Sequence, residues 1–83
     1  MIVTHHELEI PSNGRGHVVD LTAEVVEWLL SIEAGDGQAT VFVPGSTAAI
    51  TTLEFEPGCV RDLDDALEAI APSDRTYHHD QRW

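Results

Sequence analysis

Residues 38–57 read QATVFVPGSTAAITTLEFEP, and the fold of the chain turns on how this stretch is read. Ala39, Val41, Phe42 and Val43 form an apolar run, Pro44-Gly45 breaks it, and Ser46, Thr47, Thr51 and Thr52 lead into a second run that ends at Glu54 and Glu56. Short runs rich in β-branched and aromatic residues, bounded by proline and glycine, carry the signal of extended strands around a tight turn. The stretch therefore predicts a pair of strands with hydroxyls and carboxylates gathered beside the bend.

Working toward the N-terminus, Gly35-Asp36-Gly37 separates this stretch from an amphipathic segment, and is expected to stop the helix before it. Thr22 is the expected N-cap, and Glu24 and Glu27 suit the positive end of the helix dipole. Val25, Trp28, Leu29 and Ile32 recur at three- and four-residue spacing, widened by Val26 and Leu30, which predicts a core-facing stripe on a helix running to about Ala34. Further upstream, Pro11-Ser12-Asn13-Gly14-Arg15-Gly16 is a dense run of turn formers joining an expected first strand, Met1 to Ile10, to a second over His17 to Leu21. Gly14 and Gly16 match neither a P-loop nor a dinucleotide fingerprint. His5 and His6 suit a surface or rim position.

Toward the C-terminus, Pro57-Gly58 opens a second helix, with Val60, Leu63, Leu67 and Ile70 on one face and Asp62, Asp64, Asp65 and Glu68 on the other. Pro72 ends it by excluding helical geometry at Ala71. Cys59 near its start reads as packing filler. The tail crowds Tyr77, His78, His79, Asp80 and Trp83 into seven residues, and histidine beside a carboxylate suits a base, a proton relay or a metal ligand.

Eighty-three residues make one small domain, residues 1–83, and such a chain buries only about 60–65% of the surface its unfolded form exposes. With one cysteine there is no disulfide framework, so stability is expected to lean on oligomerisation or on a partner element. Fifteen acidic residues stand against four basic ones, all arginine, for a net charge of −11. That balance argues against nucleic acid and anionic membrane surfaces as partners. It also suits either a high-salt cytoplasm, where screening weakens repulsion among surface carboxylates, or an acidic mesophilic protein with a solvated negative face. No apolar run is long enough to span a membrane and no signal peptide is recognisable, so a cytoplasmic location is expected.

The run VFVPGSTAAITTLEFEPG, followed by DLDDALEAIAP and then YHHDQRW, closely resembles the YjbQ-like family, whose members are labelled secondary thiamine-phosphate synthase enzymes. The turn at 11–16, the VVDLT entry to the first helix and the GDG before the central stretch fit as well, so the resemblance covers essentially the whole chain. Two features depart from it. Many members carry histidine where this chain has Gly45, and the family sequence continues past the point matched by Trp83 with further strands and another histidine. The resemblance thus implies the N-terminal part of an α+β sandwich, a mixed β-sheet with two helices, incomplete at the C-terminus, and assembly as a homo-oligomer, usually a trimer.

It also implies weak thiamine-phosphate synthase activity, in which a phosphorylated thiazole displaces pyrophosphate from a pyrimidine-methyl pyrophosphate with help from a divalent cation, magnesium or zinc. By position, Gly45, Ser46 and Thr47 would bind the phosphorylated substrate. Glu54 and His79 would be the catalytic groups, and His79 with Asp80 would hold the metal. From the residues alone, a second reading stays open, a non-catalytic oligomeric module that binds a small ligand or metal. In that reading the hydroxyls satisfy local backbone groups and Glu54 is a half-exposed strand carboxylate.

Overall fold

The computed structural model describes residues 1–14 and 16–82; Arg15 of the first turn and Trp83 of the tail lie outside the described residues. Helix α1 spans Thr22–Ser31, helix α2 spans Pro57–Ile70, and a 3-10 helix covers His78–Arg82. The chain divides into two units, Met1–Thr52 containing α1 and Leu53–Trp83 containing α2 and the 3-10 helix.

The expected α+β sandwich is corrected here: no strand occurs among the described residues, and residues 1–10, 17–21 and 38–56 run outside regular structure. The reason is physical. A strand acquires its hydrogen bonds from a neighbour and its side-chain energy from a buried face, whereas a helix satisfies its backbone internally. Here neither condition is met, since no described side chain is buried, and Ile2, Val3, Phe42 and Phe55 are 93%, 68%, 79% and 56% exposed. Alternating apolar residues without a second layer to cover them do not organise a sheet. The turn between the first two expected strands does form without them: Gly14 and Gly16 have φ of 98° and 74°, and the Gly14 carbonyl accepts from the His17 amide at 3.1 Å. The Asn13 amide donates to His17 Nδ1 at 2.9 Å, fastening the turn from outside.

Helix α1 starts one step earlier than its sequence suggests. Asp20, not Thr22, supplies the acceptor: its Oδ1 takes hydrogen bonds from the Thr22 amide at 2.9 Å and the Thr22 hydroxyl at 2.6 Å. Thr22 is thus the first helical residue, and the cap position falls on Leu21, whose side chain makes no capping bond. The helix also stops earlier than Ala34. The Ala34 amide donates to the Leu29 carbonyl and the Glu33 amide to the Leu30 carbonyl, the paired bonds of a Schellman stop, with Glu33 at φ 53° in the left-handed position that glycine usually fills. Gly35 lies two residues too far along to serve. Val25, Trp28 and Leu29 are half-buried, but Val26 is 48% and Leu30 74% exposed, so the apolar stripe is narrower than its sequence pattern. The His6 imidazole stacks on the Trp28 indole, ring centroids 5.6 Å apart and planes 11° from parallel, which brings the N-terminal segment against α1.

Helix α2 has the bounds its prolines dictate. Pro57 occupies the first turn, where a missing N–H costs nothing, and Pro72 holds Ala71 at φ −134°, ψ 74°, outside helical space. Glu56 caps the start, each carboxylate oxygen accepting one orphan amide: Oε1 from Gly58 at 2.7 Å and Oε2 from Cys59 at 2.9 Å. A Cβ on Gly58 would stand 3.0 Å from Glu56 Oε1 and 3.1 Å from Oε2, so glycine leaves the carboxylate room to sit over the helix end without shifting. Beyond the other end, Glu68 Oε1 accepts from both the Ser73 amide at 2.7 Å and the Ser73 hydroxyl at 2.8 Å.

Two predictions follow from these helix ends. Hydrogen bonds from the Thr22 hydroxyl and then its amide hold Asp20 below its ordinary value of 3.8, and those from the Gly58 and then the Cys59 amide hold Glu56 below 4.5. Because both values fall on folding, the stabilisation is fully present above the ordinary values and is lost as pH drops through the folded ones. Helix content read by circular dichroism at 222 nm should hold down to about pH 5 and decline below it. Asp20→Asn with Glu56→Gln should flatten that decline; an unchanged acid profile would refute the capping. Separately, Glu33→Gly should relieve a left-handed penalty of about 1 kcal/mol and slow amide exchange at residues 29–34, whereas Glu33→Val should speed it.

Candidate functional site

The residues singled out for chemistry fall on three local structures. Gly45, Ser46 and Thr47 form a bend in the first unit, with Gly45 at φ 108°. That conformation is strained for any residue with a Cβ. Nothing lies within 4 Å of where that Cβ would stand, so the backbone at Gly45 is open on that side. All three residues are exposed.

Glu54 belongs to the second unit and sits two residues before the Glu56 cap, where the Glu56 amide donates to the Glu54 carbonyl at 2.9 Å. This tight turn swings the chain into α2, and Glu54 is exposed at its outer side. The two carboxylates of the sequence Glu54-Phe55-Glu56 thus have different positions: Glu56 is committed to the helix, and Glu54 stands clear of it.

His79 and Asp80 lie in the 3-10 helix His78–Arg82, also in the second unit. Asp80 has a structural task there. Its Oδ2 accepts from the Tyr77 amide at 2.8 Å while the Asp80 amide donates to the Tyr77 carbonyl at 3.0 Å, a reciprocal pair that closes the turn as a capping box does. Tyr77 is the anchor of the tail: its hydroxyl donates to the Pro72 carbonyl at 2.7 Å, and the Arg75 guanidinium carbon lies 5.2 Å from its ring centroid. The chain from Glu68 to Asp80 is therefore tied back on itself by bonds spanning two to five residues. Among the described residues, no three histidine, cysteine, aspartate or glutamate side chains come together as a metal ligand set.

Reasoning from residue types passed over three groups that the structure uses. Glu56 was readable, because an acid directly before a proline at the first helical position is an N-cap signal. Asp20 was readable in the same way from Asp-Leu-Thr. His6 was not, since its partner Trp28 is 22 positions away and no local pattern links them.

The residues singled out for chemistry thus fall on an exposed glycine bend in the first unit and, in the second, on an exposed carboxylate before α2 and a 3-10 turn anchored by Tyr77. Comparison with known proteins places the chain in a family. The profile of the UPF0047 protein YjbQ-like family matches residues 6–83. A UPF0047 protein of Archaeoglobus fulgidus is 29% identical over 75 residues, covering 90% of this chain and 57% of the relative. UPF0047 protein Rv2556c of Mycobacterium tuberculosis is 37% identical over 65 residues, 78% of this chain and 47% of the relative. A UPF0047 protein of Methanothermobacter thermautotrophicus is 33% identical over 79 residues, 95% of this chain and 55% of the relative. The chain belongs to the YjbQ-like, UPF0047 family. It spans about half the length of the curated relatives it matches. No solved structure gave a significant match.

The tail geometry yields its own prediction. Tyr77→Phe removes the bond to the Pro72 carbonyl and should cost about 0.5–1.5 kcal/mol of local stability, read as faster amide exchange at Tyr77 and Asp80. Asp80→Asn keeps an acceptor and should leave that exchange nearly unchanged, whereas Asp80→Ala should open the 3-10 turn. If Asp80→Ala leaves the turn protected, the reciprocal pair is not what holds it.

Proposed function

We propose that the chain handles a phosphorylated small molecule and supports a weak thiamine-phosphate synthase-type transfer. The reading rests on one observation above all: the bend at Gly45 leaves backbone and hydroxyl donors of Ser46 and Thr47 exposed beside open space. Small donors on an unobstructed glycine bend suit phosphate oxygens. Family membership across residues 6–83 supports the same reading, since every proposed site residue lies within the match.

In the proposed reaction the ring nitrogen of a phosphorylated thiazole attacks the methylene carbon of a pyrimidine-methyl pyrophosphate. The carbon–oxygen bond to pyrophosphate breaks, and pyrophosphate leaves with the electron pair. The protein's work is orientation and charge stabilisation rather than covalent catalysis. Gly45, Ser46 and Thr47 would hold phosphate oxygens, and His79 would donate a hydrogen bond to the leaving oxygen. Asp80 orients the turn that carries His79. Magnesium, which relies on substrate phosphates, water and one or two carboxylates, fits the proposed role of the metal. Glu54 is the carboxylate proposed for magnesium, which when bound would offset the charge of the pyrophosphate. We assign the protein to a homo-oligomer, a trimer, on the family resemblance alone, and to a reducing and salt-rich cytoplasm, which its lone thiol and lysine-free charge of −11 suit. No helix among the described residues is long and apolar enough to cross a membrane.

A second reading has its own support. All six proposed site residues are exposed, and electrostatic catalysis loses strength where water is not excluded. In that reading the protein is a non-catalytic oligomeric module that binds a phosphorylated ligand or a metal ion. One experiment separates the two. Purified chain supplied with both thiamine precursors and Mg²⁺, from low to molar KCl, should form thiamine phosphate, and His79→Ala should lower the rate about 100-fold. Pyrophosphate binding by calorimetry with no product at any salt would select the binding module. Neither binding nor product would remove both.

A further inference from the structure

The turn at residues 12–17 holds chemistry that the roles described above leave unused. Asn13 is the single asparagine of the chain, and glycine follows it. An asparagine carboxamide is thermolabile because the backbone nitrogen of the next residue can attack its carbonyl carbon and close a five-membered ring. In a helix or a strand that nitrogen is engaged by the backbone ladder, and a Cβ on the next residue crowds its approach. Neither obstacle stands here. Asn13 and Gly14 are exposed and lie outside helix and strand, and nothing comes within 4 Å of where a Cβ on Gly14 would stand. With Gly14 at φ 98°, glycine is also the residue that this backbone favours.

The fold applies one restraint. The Gly14 amide donates to Ser12 Oγ at 3.0 Å, beside the bond from the Asn13 amide to His17 Nδ1 at 2.9 Å. Ring closure requires the Gly14 nitrogen to give up its proton and turn toward the carboxamide, so the bond to Ser12 has to break first. A neutral hydroxyl accepts that bond but is too weak a base to take the proton. We propose that Asn13-Gly14 is a site of spontaneous deamidation and that the Ser12 hydroxyl restrains it. A bond forms between the Gly14 nitrogen and Asn13 Cγ, the Gly14 amide proton passes to water, and the carboxamide nitrogen takes up a proton and leaves as ammonia. Water then opens the succinimide at either carbonyl, giving aspartate or isoaspartate. One water is consumed, one ammonia is released, and nothing is oxidised or reduced. Both products add a negative charge to a chain already at −11. Isoaspartate also routes the main chain through the side-chain carbons, which pulls the Gly14 carbonyl from the His17 amide that it meets at 3.1 Å. Nothing in this chemistry depends on the roles proposed for Gly45 and His79.

The full 83-residue chain, aged in mildly alkaline buffer, is followed by peptide mass spectrometry and amide exchange. A mass gain of about one dalton should accumulate on the peptide holding Asn13, as a mixture of aspartate and isoaspartate, while exchange at His17 quickens. Ser12→Ala should speed the gain about two- to tenfold, the worth of one exposed hydrogen bond read as a change in barrier. Asn13→Gln, whose longer side chain has to close a six-membered ring, should slow it about tenfold or more. Residues 12 and 13 are both exposed, so neither substitution disturbs a packed contact. Three results would overturn the proposal: no gain at Asn13 in the folded chain over a time in which the urea-unfolded chain acquires it, a gain confined to Gln38 or Gln81, or a Ser12→Ala chain that deamidates no faster than its parent.

Discussion

The carboxylate of Glu56 on the amides of Gly58 and Cys59 is the interaction from which the second unit is built. A helix end presents orphan N–H groups that must find acceptors, and in this chain the acceptor is bound in sequence order, directly before the proline that sets the first turn. Everything after it follows in short steps. The helix runs until Pro72 forbids it, Glu68 takes up the amide and hydroxyl of Ser73, Tyr77 reaches back to the Pro72 carbonyl, and Asp80 closes the last turn on Tyr77.

The same economy operates in the first unit, where Asp20 starts α1, Glu33 ends it and the turn at 12–17 is closed by Ser12 and His17. These are local polar contacts between exposed groups. Interactions of that kind fix geometry more than they supply stability, since water competes for every donor and acceptor. The usual source of stability, apolar surface withdrawn from water, is nearly unused: the sequence is 42% hydrophobic, yet no described side chain is buried. The stack of His6 on Trp28 joins residues 22 positions apart and gathers the N-terminal segment of the first unit against α1.

How much of this was legible depends on whether the determinant is local. Both ends of α2 could be read because proline acts through its own covalent geometry. The ends of α1 were misplaced, by one position at the start and about three at the end, because Thr22 and Gly35 are better cap formers in general than Asp20 and Glu33, which do the work in this backbone. The strands could not be read correctly, since Val41, Phe42, Val43 and Ile50 encode a preference that takes effect only against a partner. The site shows the same division. The open bend at Gly45 was visible in Pro-Gly-Ser-Thr, whereas the service of Asp80 to Tyr77 depends on a 3-10 turn that its crowded residues did not announce.

Gly58 carries a consequence for how such a chain can vary. A Cβ there would stand 3.0 and 3.1 Å from the two oxygens of Glu56, so the carboxylate would have to give by a few tenths of an ångström to keep both amides. Positions 56 and 58 therefore vary together: a side chain at one displaces the cap at the other. A lineage that replaced Gly58 would begin α2 with a shifted cap.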